Sequence, residues 1–224
     1  MPAFIFDIDG TLAETEELHR QSFNRAFAEA GLGWAWDRTL YADLLKVTGG
    51  KERIAHYVER TGLALDRPVA EVAAEMHKAK TLAYVAGVRA ILLRPGVADL
   101  IAEARERGIR LAVATTTTRA NVDGLLAATL GSGHGFEAIA CGDMVPAKKP
   151  APDIYLLALE MLGLPADQCL AFEDSANGVR SAKAAGLRVV VTPALYTAGE
   201  DFTGADLILP DLTDRASVFG MIGA

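Results

Sequence analysis

"AFIFDIDGTLAE", residues 3–14, runs four apolar residues straight into two aspartates, Asp7 and Asp9, with only Ile8 between them. A carboxylate taken out of water is costly unless a cation or a donor pairs with it. The two charges therefore either sit at a solvated strand end or hold something there. In an extended chain alternate residues face one side, so Asp7 and Asp9 are expected to point together while Ile8 turns back into the core. Gly10 then permits a sharp exit from the strand.

The rest of the chain supplies partners for that strand. From Ile91 onward, short apolar runs ("RLAVATT", "AIACGD", "CLAFED", "RVVVT", "DLILP") alternate with amphipathic segments such as "GVADLIAEARERG" and "PDIYLLALEMLG". This is the rhythm of βαβ units, and runs apolar almost throughout suit parallel strands covered by helices on both faces. Between Glu14 and Ala90 the rhythm is helical only. "ETEELHRQSFNRAFAEAG" puts Leu18, Phe23, Ala26, Phe27 and Ala30 on one face, and "WDRTLYADLLKV", "KERIAHYVERTG" and "VAEVAAEMHKAKTLAYV" also read as helices. The expected fold is α/β: a Rossmann-like parallel-sheet core of residues 1–14 and 91–224, with an all-helical cap, residues 15–90, inserted after the first strand. Pro95-Gly96 marks the return to the core.

Composition narrows the function classes. With 224 residues, 51% of them hydrophobic, the chain can bury a sizeable core, and its net charge of -7 argues against a general nucleic-acid binder. The sequence opens on no leader pattern, and no apolar run approaches the ~20 residues that span a bilayer. Cys141 and Cys169, far apart and in apolar surroundings, read as core residues. The expectation is a cytoplasmic, soluble monomer that acts on a small ligand, with neither nucleic acid nor membrane as partner.

Ligands of open parallel sheets bind beyond the carboxyl ends of the strands. There the apolar runs end in Asp7 and Asp9, in Thr115 and Thr116, in Asp143, and in Glu173 and Asp174, with Lys148 and Lys149 in the loop before "PAPDIY". Carboxylates, hydroxyls and an ammonium group at one sheet edge make a site for a hard cation and a phosphoryl group.

The set "DIDGT", "VATTTT", "KKPAPD" and "FEDSANG", in that order and across nearly the whole chain, resembles the haloacid dehalogenase superfamily of phosphotransferases. With "ETEELHR", "TGGKERI" and "HKAK" in the inserted segment, it resembles the CbbY branch, which dephosphorylates xylulose 1,5-bisphosphate, an inhibitory by-product of Rubisco in the Calvin cycle. The resemblance implies Asp7 as the nucleophile that becomes an aspartyl-phosphate and Asp9 as the general acid and base. It implies Thr115 as a holder of phosphoryl oxygens and Lys149, not Lys148, as the tether of nucleophile and phosphate. Mg²⁺ would be held by Asp7, the backbone carbonyl of Asp9 and Asp174, with Glu173 the less direct of the two final acids.

In the cap, Gly49-Gly50 can bring backbone close to a ligand, and the helix that follows offers free amides beside Lys51 and Arg53. That is a second phosphate site, or else a turn with solvated basic residues. His77 and Lys80, three apart, share a helix face. Glu16 is a ligand for sugar hydroxyls or a first-turn acid; His19 positions Asp9 or is an ordinary surface histidine; Tyr41 belongs with them. Asn121 reaches the substrate or caps a helix. Asp143 stays outside the innermost shell, and His56 and His134 read as structural or exposed.

The leading reading is a Mg²⁺-dependent phosphatase for a sugar bisphosphate. A β-phosphoglucomutase-type enzyme, or a phosphatase for another sugar phosphate, fits the same motifs. A phospho-accepting receiver module is about half this length and needs no Asp9, and a halide-releasing enzyme would lack the second aspartate and the magnesium.

Overall fold

A computed structural model describes residues 2–222 of the chain. Six strands, β1 (Ala3–Phe6), β2 (Arg110–Ala114), β3 (Phe136–Ala140), β4 (Cys169–Glu173), β5 (Arg188–Val191) and β6 (Leu207–Ile208), form one sheet in the order β3-β2-β1-β4-β5-β6. Every pairing is parallel. The order reverses between β1 and β4, and the crevice beyond such a switch point is where α/β sheets bind ligands.

The apolar runs conceal a division of labour between the two faces. One face carries Phe4, Phe6, Leu111, Val113, Leu170 and Phe172, packed on helices α5 (Val97–Glu106), α6 (Arg119–Thr129) and α9 (Arg215–Gly220). The Phe6 and Phe172 rings stack with centroids 4.4 Å apart. The other face is built mainly of small residues, among them Ala3, Ala112, Ala114 and Ala171, which let α7 (Asp153–Leu162) and α8 (Ala176–Ala184) approach closely.

The inserted segment is helical, as expected: α1 (Glu16–Glu29), α2 (Arg38–Leu44), α3 (Gly50–Thr61) and α4 (Val69–Gly87). Their own cluster contains Phe23, Phe27, Trp36, Tyr41, Leu44, Ile54 and Met76, while the end of α4 contributes Tyr84 to the core cluster. The α1 face departs from the expected one. Ala30 lies just past the helix end and is exposed, whereas His19 and Ser22 are buried. Two polar residues on the inward face of a helix call for partners, and those of His19 lie in the site below. Both cysteines are buried and free. No helix among the described residues is long and apolar enough to cross a membrane.

Candidate active site

β1 ends at Phe6, so Asp7 and Asp9 stand in the loop beyond the strand and strand alternation does not orient them. Asp7 is still held in sheet register, because its N–H donates to the Phe172 carbonyl of β4 at 3.0 Å. Gly10 follows at φ +85°, and a Cβ there would overlap the Asp174 carboxylate. The loop returns along β1 with Ile8 and Leu12 buried in the core.

On the core side, Lys149 is the centre of a buried polar group. Its Nζ lies 2.7 Å from Asp7 Oδ1, 2.5 Å from Glu173 Oε1 and 3.0 Å from the Ala114 carbonyl, which uses all three donors. Tyr155 donates its hydroxyl to the same Glu173 oxygen at 2.6 Å, leaving Glu173 Oε2 buried without a partner. Burial pushes the Asp7 carboxyl up to about 7, with Lys149 pulling the other way and Glu173 and Asp9 adding to the rise. Burial, then the charges of Asp7 and Glu173, push Asp174 well above the usual range. Against burial, the two carboxylates around Lys149 raise its affinity for its proton.

Asp7, Glu173 and Asp174 each offer an oxygen within 4.8 Å of the others. Three buried acids face one lysine, and burial together with the like charges of their neighbours raises the proton affinities of Asp7 and Asp174. An all-oxygen donor set of this kind fits a hard divalent cation. Asp7 and Asp174 have oxygens to offer, whereas Glu173 has committed one to Lys149 and Tyr155 and retains only the other. Thr115 is buried at the end of β2, and its Oγ1 accepts the Thr117 N–H at 3.3 Å.

Asp9 faces the cap. Its Oδ1 accepts the Thr15 hydroxyl at 2.5 Å and lies 2.9 Å from His19 Nε2, while the His19 ring stacks on Tyr84 with centroids 4.2 Å apart. Although burial opposes it, the charge and hydrogen bond of His19 and the Thr15 hydroxyl bring Asp9 down to about 2. The two aspartates thus line one cavity in opposite electrostatic settings.

A second cavity adjoins it, with Asp9, Glu16, Arg53 and Thr116 lining both; the second adds His19, Gly49, Gly50, His77 and Lys80. Gly49 caps α3 at φ +98°, and Gly50 packs so close to the His77 ring that a Cβ would overlap it. Arg53 is buried, donating Nε to the Leu44 carbonyl at 3.3 Å and Nη1 to the Tyr41 hydroxyl at 3.2 Å, while Nη2 donates to no protein group among the described residues. Tyr41 in turn donates to Glu16 at 2.6 Å. Lys80 is buried over the rings of Phe23 (5.0 Å) and Tyr84 (5.5 Å) with no hydrogen-bond partner among the described residues, and burial lowers it to about 8. Burial and the neighbouring Lys80 lower His77 to about 3, so it is neutral near pH 7.

Some expected site residues lie elsewhere. Lys51 is about half exposed and faces Asp143 at 3.8 Å, outside both cavities, because the first turn of α3 directs it away from Arg53. Tyr41 is fully buried behind Glu16 and Arg53 and does not line the cavities. Asn121 is buried in α6, donating to Thr117 at 2.8 Å with its Oδ1 unpartnered, and it too is absent from the lining. Lys148, the lysine not expected to act as the tether, is half-buried and donates to the Gly142 carbonyl. His56 and His134 lie away from both cavities. Sequence reasoning missed Thr15, Arg94, Tyr155, Asn177 and Thr197. Of these, Thr15, Tyr155 and Asn177 lie within quoted stretches, but only the fold discloses their partners.

Residues 1–186 match the haloacid dehalogenase-like hydrolase family. The chain is 56% identical over 221 residues to Protein CbbY of Rhodobacter capsulatus, covering 97% of this chain and 96% of that one. The fold superposes on a mutant CbbY from Rhodobacter sphaeroides solved with xylulose-(1,5)bisphosphate at TM-score 0.89 and 51% identity, covering 96% of each chain. Likeness in fold alone extends to a β-phosphoglucomutase from Clostridium difficile, at TM-score 0.84 and 21% identity over 99% and 97% of the two chains.

Proposed function

The chain belongs to the haloacid dehalogenase-like hydrolase family and is a phosphatase, and from that premise we propose that it is a Mg²⁺-dependent enzyme converting xylulose 1,5-bisphosphate to xylulose 5-phosphate and phosphate. One observation carries the choice of a bisphosphate. A nucleophile anchored by Lys149 on the core side and two buried cap cations with spare donors, Arg53 and Lys80, line two adjoining cavities that share Arg53 and Asp9. Buried cations whose charge no anion meets directly and whose donors are not all taken are costly unless an anion completes them. In this reading residues 15–90 select the substrate, and residues 1–14 with 91–224 carry the chemistry. A CbbY solved with this bisphosphate supports the choice of sugar.

In the first step an Asp7 oxygen attacks phosphorus as the bond to the sugar oxygen breaks, and Asp9 gives that oxygen its proton. A phosphate dianion entering beside Asp9 opposes the pull of His19 and favours the protonated acid this step needs. In the second step Asp9 takes a proton from water, which attacks the aspartyl-phosphate and frees Asp7 and phosphate. Thr115 holds the phosphoryl oxygens, and Lys149, its three donors taken by Asp7, Glu173 and the Ala114 carbonyl, keeps Asp7 in line and sets its charge against the phosphoryl group. Mg²⁺, held by Asp7, Asp174 and the Asp9 carbonyl, with Glu173 acting mainly through Lys149, would supply positive charge against the oxygens of the transferring group. Glu16, His19, His77, Lys80, Gly49, Gly50 and Thr116 surround the sugar and the second phosphate.

The test is phosphate release from a panel of sugar mono- and bisphosphates, with Mg²⁺ and with chelator. A pentulose bisphosphate should lead the panel and lose activity on chelation. A flat panel removes the substrate assignment, and return of phosphate to another sugar hydroxyl makes the enzyme a mutase. Arg53→Ala should then cut kcat/KM for the bisphosphate by about 30-fold or more, with a much smaller effect on a small aryl phosphate, as expected for loss of one partner in a desolvated charge pair.

A further inference from the structure

The loop after β5, residues 192–200, lies between the acid cluster and the cap. Thr197 on this loop is 7% exposed; its Oγ1 accepts the Ala194 N–H at 2.9 Å and lies 3.1 Å from Asp174 Oδ2. A hydroxyl has a single proton. With the Ala194 N–H on one lone pair, that proton is directed at the Asp174 carboxylate. It makes the one hydrogen bond to this carboxylate among the described residues. The same Oδ2 lies against Gly10, where there is no room for a Cβ. One oxygen of Asp174 is therefore pinned between Thr197 and the β1 loop, while the other accepts no hydrogen bond.

Thr197 is itself held from several directions. Arg94 donates to the carbonyls of Thr192 (2.7 Å), Pro193 (2.8 Å) and Gly10, so one guanidinium ties the start of this loop to the aspartate loop. Tyr196 donates to Glu17 of α1 at 2.7 Å, and the Leu195 N–H donates to Glu14 at 3.3 Å. A hydroxyl fixed this firmly, beside a buried acid with no other donor, is placed to set the direction of that acid.

We propose that Thr197 is a positioning residue for Asp174, orienting its carboxylate for the divalent cation; the proposal rests on the reading of Asp7 and Asp174 as metal ligands. Partners that orient a ligand carboxylate typically govern metal affinity by about 10-fold or more. Mn²⁺ titrated into substrate-free protein and followed by electron paramagnetic resonance gives a readout independent of turnover. Thr197→Val should bind Mn²⁺ roughly 10-fold more weakly, and Thr197→Ser, which keeps the hydroxyl, should bind close to wild type. In turnover, the metal concentration for half-activity should rise in the valine variant more than kcat at saturating metal falls. If the valine variant does not fold, Thr197→Ala makes the same comparison with serine. Valine and serine variants that both bind Mn²⁺ as tightly as wild type would overturn the proposal, and a lower melting temperature in chelator alongside that unchanged affinity would assign Thr197 to loop stability. A wild-type protein that binds no Mn²⁺ and is indifferent to chelator would instead overturn the metal reading, and the role of Thr197 with it.

Discussion

Lys80 shows at a single residue how stability is given up for binding. Its ammonium is buried over two aromatic rings without a hydrogen bond, and burial lowers it from 10.5 to about 8. Below about pH 8 both folded and unfolded chains hold the proton, so the full cost of burying the charge, on the order of 3 kcal/mol, applies there. Between about 8 and 10.5 the folded protein sheds its proton first, and the cost fades as pH rises. Lys80→Met should therefore raise the melting temperature at pH 7, with a gain that shrinks toward pH 10, while weakening turnover of the bisphosphate. A variant destabilised at pH 7 would contradict this account. Asp7 presents the opposite case. Raised by burial to about 7, it must lose its proton before it can play the proposed roles of metal ligand and nucleophile. The Mg²⁺ concentration for half-activity should accordingly fall as pH rises from 6 to 8. Asp7→Asn should abolish turnover with the circular dichroism spectrum retained, and mass spectrometry of trapped wild-type enzyme should find phosphate on Asp7.

At the scale of elements, the site depends on how loops leave strands. β1 and β4 run side by side in register, Phe6 beside Phe172, so the next residues along, Asp7 just past β1 and Glu173 at the end of β4, meet without any contact between their loops being required. The β1 loop adds a left-handed turn at Gly10, packed against Asp174. Any side chain at that position would be strained by its backbone and would displace the acid. Gly10→Ala should cost about 1–3 kcal/mol of stability from the backbone alone, measured by denaturant unfolding. It should also raise the Mg²⁺ requirement, because the overlap falls on the Asp174 carboxylate itself. Normal stability in this variant would mean that the loop rearranges freely.

At the scale of the whole molecule, catalysis needs cap and core to share one space, and several polar ties join them. Asn177, at the start of α8, donates to Thr48 Oγ1 at 3.1 Å and to the Lys46 carbonyl at 3.3 Å, just ahead of the Gly49-Gly50 turn. Lys51 and Asp143 face each other across the same seam at 3.8 Å, with both side chains about half exposed, so that pair is weak. The Asn177–Thr48 tie joins the start of α8 to the Gly49-Gly50 turn, which faces the substrate in the proposed reading. Asn177→Ala and Thr48→Val should each raise KM for the bisphosphate several-fold with less effect on kcat, a loss of about 1 kcal/mol per neutral hydrogen bond. The double variant should lose less than the sum of the two, since both remove one contact. Full additivity in kcat/KM would show that the two residues act separately.

The strand-and-helix rhythm, the helical insert and the acids, threonines and lysine at the strand ends were all legible in the sequence. Each follows from local rules: apolar runs make covered strands, apolar residues three and four apart make helices, and parallel strands deliver their carboxyl ends to one edge. Partners were not legible. Alternation along β1 implied that Asp7 and Asp9 point together, and both do line one cavity with Ile8 in the core, but the strand ends at Phe6 and their different partners, Lys149 on the core side and His19 on the cap, had no local signal. Lys51 and Arg53 looked equivalent as basic residues of one helix start, and only the packing of α2 against α3 separates a buried Arg53 from a Lys51 at the surface. Thr197, Arg94 and Tyr155 carried no local signal because their partners lie 23, 84 and 18 residues away. Hydrogen-bond partners across such separations are chosen by how sheet and helices stack, and that arrangement exists only in the folded chain.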